Sequence, residues 1–186
     1  MRKIGVLCLF LFLLSGCADA SGEIERGMML RSSLLQGNGC SFDAEITADY
    51  GDKVHVFQVS CLGGANGDLS FTVTEPQTIS GITGTIEEKR GVLTFDGMAV
   101  YFDPLTEDQI SPVIAPWIFL RTLRSGQITS ACMEENYLRL SMDETYEEES
   151  LHLDIWIDRN QSPAQVDILY DGRRIVSLKI SNFAIL

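Results

Sequence analysis

From Ser41 onward the sequence alternates apolar and polar residues with a period of two, and this pattern constrains the fold more than any other feature. Phe42, Ala44, Ile46 and Ala48 share one face of the first such segment. The pattern recurs in Leu69, Phe71 and Val73, in Leu138, Leu140 and Met142, in Leu151, Leu153, Ile155 and Ile157, and in Val166, Ile168 and Tyr170. Eleven short strands are predicted, at 41–48, 53–61, 68–75, 79–88, 91–96, 98–103, 127–133, 137–143, 150–158, 164–170 and 173–181. Asp96-Gly97 and Asp171-Gly172 are two-residue hairpin signals, since a type I′ turn needs positive φ at both positions; Glu135-Asn136 is a weaker one. Asp49-Tyr50-Gly51-Asp52 joins the first two strands, and Gly63-Gly64-Ala65-Asn66-Gly67 reads as a loop. Val54 and Val56 alternate out of phase with Phe57, Val59 and Cys61, which suggests a β-bulge at Val56-Phe57.

Two segments follow a helical pattern instead. In Glu23–Gln36, Ile24, Met28, Arg31 and Leu35 fall on one stripe with Met29, Leu30 and Leu34 nearby, and Gly37 and Gly39 act as stop signals. The second begins at Ser111-Pro112, an N-cap with proline at the first helical position, and ends at Arg124 and Gly126. Between them lies VIAPWIFLRTL, apolar on nearly every side, with Pro116 able to kink the helix or shift its start. Such a helix is buried on most sides or sits in a cavity mouth.

The first residues, MRKIGVLCLFLFLLSGC, hold a basic pair at Arg2 and Lys3 and an apolar run from Ile4 to Leu14. That run is too short for a membrane span of roughly 20 residues and fits a signal peptide. Leu14-Ser15-Gly16-Cys17 has the order of a bacterial lipobox, so the reading is a signal at 1–16, a lipidated tether at 17–22 carrying a diacylglyceryl group on Cys17, and one domain at 23–186. Removing 1–16 leaves 170 residues with a net charge of −14. A chain this acidic lacks the basic face that nucleic acid requires and gains nothing from anionic lipid, so attachment rests on the two acyl chains of the anchor. The expected location is extracytoplasmic, on the cell membrane or on an outer membrane where the host has one.

With Cys8 lost and Cys17 lipidated, Cys40, Cys61 and Cys132 remain in an exported chain, where disulfides are permitted. A turn centred on Tyr50-Gly51 sets Cys40 opposite Cys61 and Phe42 opposite Val59. The expectation is a Cys40–Cys61 disulfide contributing about 3 kcal/mol by closing its loop, the alternative two buried free thiols. Cys132 then reads as a small core residue.

Catalytic and metal motifs are absent: the sequence has no CxxC, HExxH or GxSxG, and its two histidines, His55 and His152, lie on strands without a ligand cluster. A non-enzyme without a cofactor is expected. Asp143-Glu144 and Glu147-Glu148-Glu149 flank Tyr146 in one acidic loop, read as a solvated hairpin end open to a basic partner. Phe71, Trp117, Phe119, Leu120 and Trp156 are candidates to line an apolar cavity, against the plainer reading of ordinary core.

The order lipobox, N-terminal helix, strands and interrupting apolar helix, with Phe95-Asp96-Gly97 before Val100-Tyr101-Phe102-Asp103-Pro104, resembles the LolA/LolB superfamily of lipoprotein carriers and receptors over most of residues 23–183. The resemblance implies a curved antiparallel half-barrel of about eleven strands, with an N-terminal helix and a central helix closing the concave side. It further implies an apolar interior that accepts acyl chains in the carriers. The functional arginine of the carriers and the exposed Leu loop of the receptor have no matching position here. Anchored lipoproteins of this fold in bacteria without an outer membrane, including clostridial spore-germination lipoproteins, resemble partner-binding proteins more than carriers. Two functions are therefore expected: a membrane-anchored lipoprotein holding a hydrophobic ligand or lipidated client, or a scaffold holding an envelope or spore-associated enzyme.

Overall fold

The computed structural model describes residues 20–87, 90–104, 111–145 and 151–186. The signal peptide, Cys17 and the Glu147–Glu149 run lie outside the described residues. Helix α1 (Ala20–Gln36) precedes six strands, β1 (Gly39–Asp49), β2 (Val54–Gly64), β3 (Leu69–Glu75), β4 (Thr83–Glu87), β5 (Arg90–Phe95) and β6 (Met98–Phe102). A 3₁₀ turn (Pro112–Ile114) then leads into α2 (Ala115–Ser125). Five more strands follow: β7 (Gln127–Glu134), β8 (Tyr137–Asp143), β9 (His152–Ile157), β10 (Pro163–Tyr170) and β11 (Arg173–Ile185).

All eleven strands form one antiparallel sheet in the order β6-β5-β4-β3-β2-β1-β11-β10-β9-β8-β7, which does not close into a barrel. An open sheet this wide must curl. Register shifts between β1 and β11, β10 and β11, β9 and β10, β2 and β3, and β7 and β8 supply local twist. Glycines opposite aromatics add to it. Gly84 pairs with Phe71, and Gly91 with Phe102, and in each pair the ring lies where a Cβ on the glycine would go. Asp96-Gly97 and Asp171-Gly172 have positive φ at both positions, as the I′ turn demands.

One face of most of the long strands is buried, β7 excepted, and those faces meet in a single core. Phe42, Ile46, Leu69, Ile86, Leu138, Leu140, Ile155, Ile168 and Leu178 belong to it, and α1 and α2 cover it. The helix signals mark α2 well: Pro112 opens the 3₁₀ turn, Pro116 falls in the first turn of the α-helix, and the Gly126 N–H closes on the Thr122 carbonyl.

Four local expectations are corrected. Helix α1 begins at Ala20, inside the segment read as tether, because Ala20-Ser21-Gly22 contains nothing that stops a helix. Its buried face is Gly27, Leu30 and Leu34, whereas Ile24, Met28 and Leu35 are exposed. Strand β2 runs straight through Val56-Phe57; Val54 and Val56 point outward and are exposed, and the irregularity lies against β3 at Gln58–Val59. Gly63 and Gly64 belong to β2 and not to the loop.

The β1–β2 register differs by two residues from that expected. Cys40 lies opposite Gly63, and Cys61 opposite Phe42. Cys40 and Cys61 are both buried free thiols, with no disulfide between them. A two-residue shift keeps each side chain on its own face but moves the two cysteines from a direct to a diagonal relation across the strand pair. Cys132 is also corrected: it is exposed on β7.

Candidate functional site

Four of the five proposed cavity residues come together. Phe71, Trp117, Phe119 and Leu120 are each at most 4% exposed and belong to the core cluster. Phe119 meets Phe42 edge to face with ring centroids 5.8 Å apart. Leu120 packs over Gly63, where a Cβ would lie 2.6 Å from Leu120 Cδ1. Glycine at 63 is thus what lets α2 settle onto β2. Trp156 does not join them. It stands on the other face of β9, only partly buried, and its Nε1 donates to Glu134 Oε2 at 2.9 Å.

Helix α2 therefore occupies the concave side with its own side chains, and its polar tips fasten it there. Trp117 Nε1 donates to the Gly67 carbonyl at 3.1 Å. Arg124 donates to the Ala65 carbonyl at 2.5 Å. Arg121 pairs with Glu144 at 2.8 Å and lies 5.3 Å from the centroid of the Trp117 ring, a cation–π distance. Arg31 of α1 donates from Nε to the Leu123 carbonyl at 2.8 Å and from a terminal nitrogen to the Gly126 carbonyl at 2.7 Å. A cation on the open carbonyls of a helix C-terminus satisfies them and complements the helix dipole.

The outer face carries polar ladders. Asp43 accepts from Ser60 at 2.5 Å and from Asn182 at 2.8 Å, and these bonds hold its carboxyl below the usual range. Asp167 accepts from Ser177 and Arg174. His152 Nδ1 is 2.8 Å from Asp143, and the Ser141 hydroxyl donates to Asp154 at 2.6 Å. That hydroxyl is committed to a carboxylate and not to the imidazole, so the cluster lacks the serine–base bond that activates a nucleophile. His55 lies at the end of β2, its ring 6.0 Å from that of Tyr50. Among the described residues no three His, Cys, Asp or Glu side chains are placed to hold a metal ion. No helix among them is long and apolar enough to cross a membrane.

Open clefts lie beside α1 and at the start of the 3₁₀ turn that leads into α2. One of about 460 Å³ runs between Met29 and Leu30 of α1 and Phe183 and Ile185 of β11. Another of about 410 Å³ lies between Phe57, Ile79 and Pro112. Neither reaches the Phe71–Trp117–Phe119–Leu120 cluster.

The sheet edge offers a different surface. Among the described residues β6 pairs on one side only, with β5. The β5–β6 hairpin exposes Phe95, Met98, Val100 and Tyr101, by 48 to 69%. Edge strands usually carry charges that prevent pairing, and this one has none from Met98 to Phe102. The sequence reading missed it, although MAVYF is apolar on both faces, a pattern unsuited to a strand with one wet side.

No family model and no curated protein matches the chain. Solved structures do. The fold is similar to a LolA superfamily protein from Nitrosomonas europaea, at 9% identity and a TM-score of 0.49, over 91% of this chain and 94% of that one. It is similar to a putative outer membrane lipoprotein-sorting protein domain from Vibrio parahaemolyticus, at 8% identity and a TM-score of 0.47, over 86% and 90%. A third likeness is to the structure of the CwlD amidase from Clostridioides difficile in complex with the GerS lipoprotein, at 11% identity and a TM-score of 0.45, over 93% and 100%. At these identities the likeness is one of fold alone; the chain's own sheet is open and antiparallel, with an N-terminal and a central helix.

Proposed function

We propose that the protein is a non-enzymatic extracytoplasmic lipoprotein, anchored through Cys17, that binds a partner protein at the β5–β6 edge of its half-barrel. One observation carries the choice over ligand carriage. The concave side is filled by α2, whose Trp117, Ile118, Phe119 and Leu123 are at most 2% exposed and whose C-terminal half is tied down by Arg31, Arg121 and Arg124. A hydrophobic ligand or lipidated client among Phe71, Trp117, Phe119 and Leu120 would require the whole helix to leave. The exposed apolar residues of β6 are available without any rearrangement of the described residues, and an added strand could pair along the side where no described strand lies.

A photo-crosslinking side chain at Tyr101, introduced in the host cell, tests this. The expected result is one stoichiometric protein adduct, absent when the same group replaces Thr72 on β3. The reading fails if position 101 gives no protein adduct while the purified protein carries one non-covalent lipid per chain.

A further inference from the structure

The apolar stripe of α1 is left unexplained by the fold. Ile24, Met28 and Leu35 are 39, 46 and 51% exposed. They stand four and seven residues apart, so they form one line along a helix about 25 Å long. The core takes the adjacent line, Gly27, Leu30 and Leu34, and Arg31, which lies on the stripe between Met28 and Leu35, turns its guanidinium to the end of α2. A line of three large apolar side chains thus borders the buried face of α1 without itself being covered.

The length of chain in front of α1 says what can cover it. Only Ala18 and Asp19 separate the anchored Cys17 from the first helical residue, Ala20, so three residue steps join them. Three residues span at most about 10 Å. On the reading that Cys17 carries the acyl chains, the start of α1 cannot stand farther than that from the lipid headgroups. Charge agrees. The chain after the signal carries −14, but α1 itself holds two acidic residues, Glu23 and Glu25, and two basic ones, Arg26 and Arg31. It is a neutral element in an acidic protein, so it approaches a bilayer without the repulsion the rest of the surface meets.

We infer that α1 lies along the membrane, with Ile24, Met28 and Leu35 seated at the boundary between headgroups and acyl chains. The lipid anchor and this stripe then fix the orientation of the half-barrel, with β7 and α1 toward the bilayer and the β5–β6 edge at the far end of the sheet order. This rests on the proposed anchorage at Cys17.

The test uses the mature protein in phosphatidylcholine vesicles. Cys132→Ser removes the exposed thiol, and Met28→Cys, Leu35→Cys or Asp96→Cys then places one fluorophore on α1 or in the β5–β6 turn. All three positions are exposed, and unchanged melting temperatures confirm the fold. Intact mass reads the anchor, and quenching by brominated acyl chains reads the stripe. The expected result is a diacylglyceryl mass on Cys17 with quenching at 28 and 35 about threefold or more above that at 96. Anchored protein with equal quenching at all three positions overturns the inference and leaves the anchor standing. A mass without lipid overturns both. Labels at 28 and 35 shielded from iodide in native envelopes, yet unquenched by lipid bromine, would show a protein on the stripe and equally overturn the inference.

Discussion

Arg31 of α1 and Leu123 of α2 join the two helices across the core: the Arg31 Nε donates to the Leu123 carbonyl at 2.8 Å. The second arm of the same guanidinium reaches the Gly126 carbonyl at 2.7 Å. The contact links the element nearest the proposed anchor to the element that fills the concave side. Arg31→Ala should lower stability by about 2 kcal/mol, because two partly buried carbonyls lose a charged donor. Arg31→Lys should recover less than half, since an ammonium cannot serve both carbonyls as a fork does. Urea melts of the three proteins check this.

The thiols give a second expectation. Burial pushes the Cys40 thiol up to about 11 from an ordinary 9.0, and burial pushes Cys61 up further still. Folded protein at pH 8 should therefore be alkylated once among Cys40, Cys61 and Cys132, at Cys132, and three times after unfolding. The same shifts set a pH dependence. Above pH 9 the unfolded chain releases these protons while the folded chain keeps them. The stability they allow is thus fully present below pH 9 and lost as pH rises toward 11 and beyond. Cys40→Ala with Cys61→Ala should flatten that fall in melts between pH 8 and 11.

Gly84→Ala should cost about 1–3 kcal/mol. The new methyl would occupy the place of the Phe71 ring, which is buried between β4 and α2's side of the core. Gly84→Ala combined with Phe71→Leu should recover part of the loss, because the smaller side chain vacates the space. A thermal melt of the double mutant beside the singles measures this coupling.

Trp117 is both packing and tie. Trp117→Phe should cost about 1–2 kcal/mol through the lost bond to Gly67 and some volume, and Trp117→Ala about 3–5 kcal/mol. Hydrogen exchange should then rise first in α2 and in the 64–68 turn, while β9 to β11 stay protected.

These expectations draw on parts of the fold that the sequence reveals to different degrees. Eleven strands, both Asp-Gly turns and the Pro112–Gly126 helical region are legible, because period, turn chemistry and capping are local signals. The β1–β2 register is not. Shifting it by two leaves Phe42, Ala44, Val59 and Cys61 on the same face, so the apolar pattern is blind to the error that would have joined Cys40 to Cys61. The α1 stripe fails for a related reason. Two apolar lines run along that helix, and only tertiary packing decides that Leu30 and Leu34 go inward while Met28 and Leu35 stay out. Among the candidate site residues, Phe71, Trp117, Phe119 and Leu120 converge as a half-barrel core requires. Trp156 is misplaced because an alternating strand sends Ile155 and Ile157 one way and the residue between them the other.

Native mass spectrometry of a chain beginning at Ala18, exported from cells and purified without detergent, tests most directly whether the half-barrel is filled by its own helix. The account predicts the mass of the polypeptide alone, unchanged after incubation with phospholipid or with a diacylated peptide. One bound lipid per chain, accompanied by loss of hydrogen-exchange protection in α2, would contradict it.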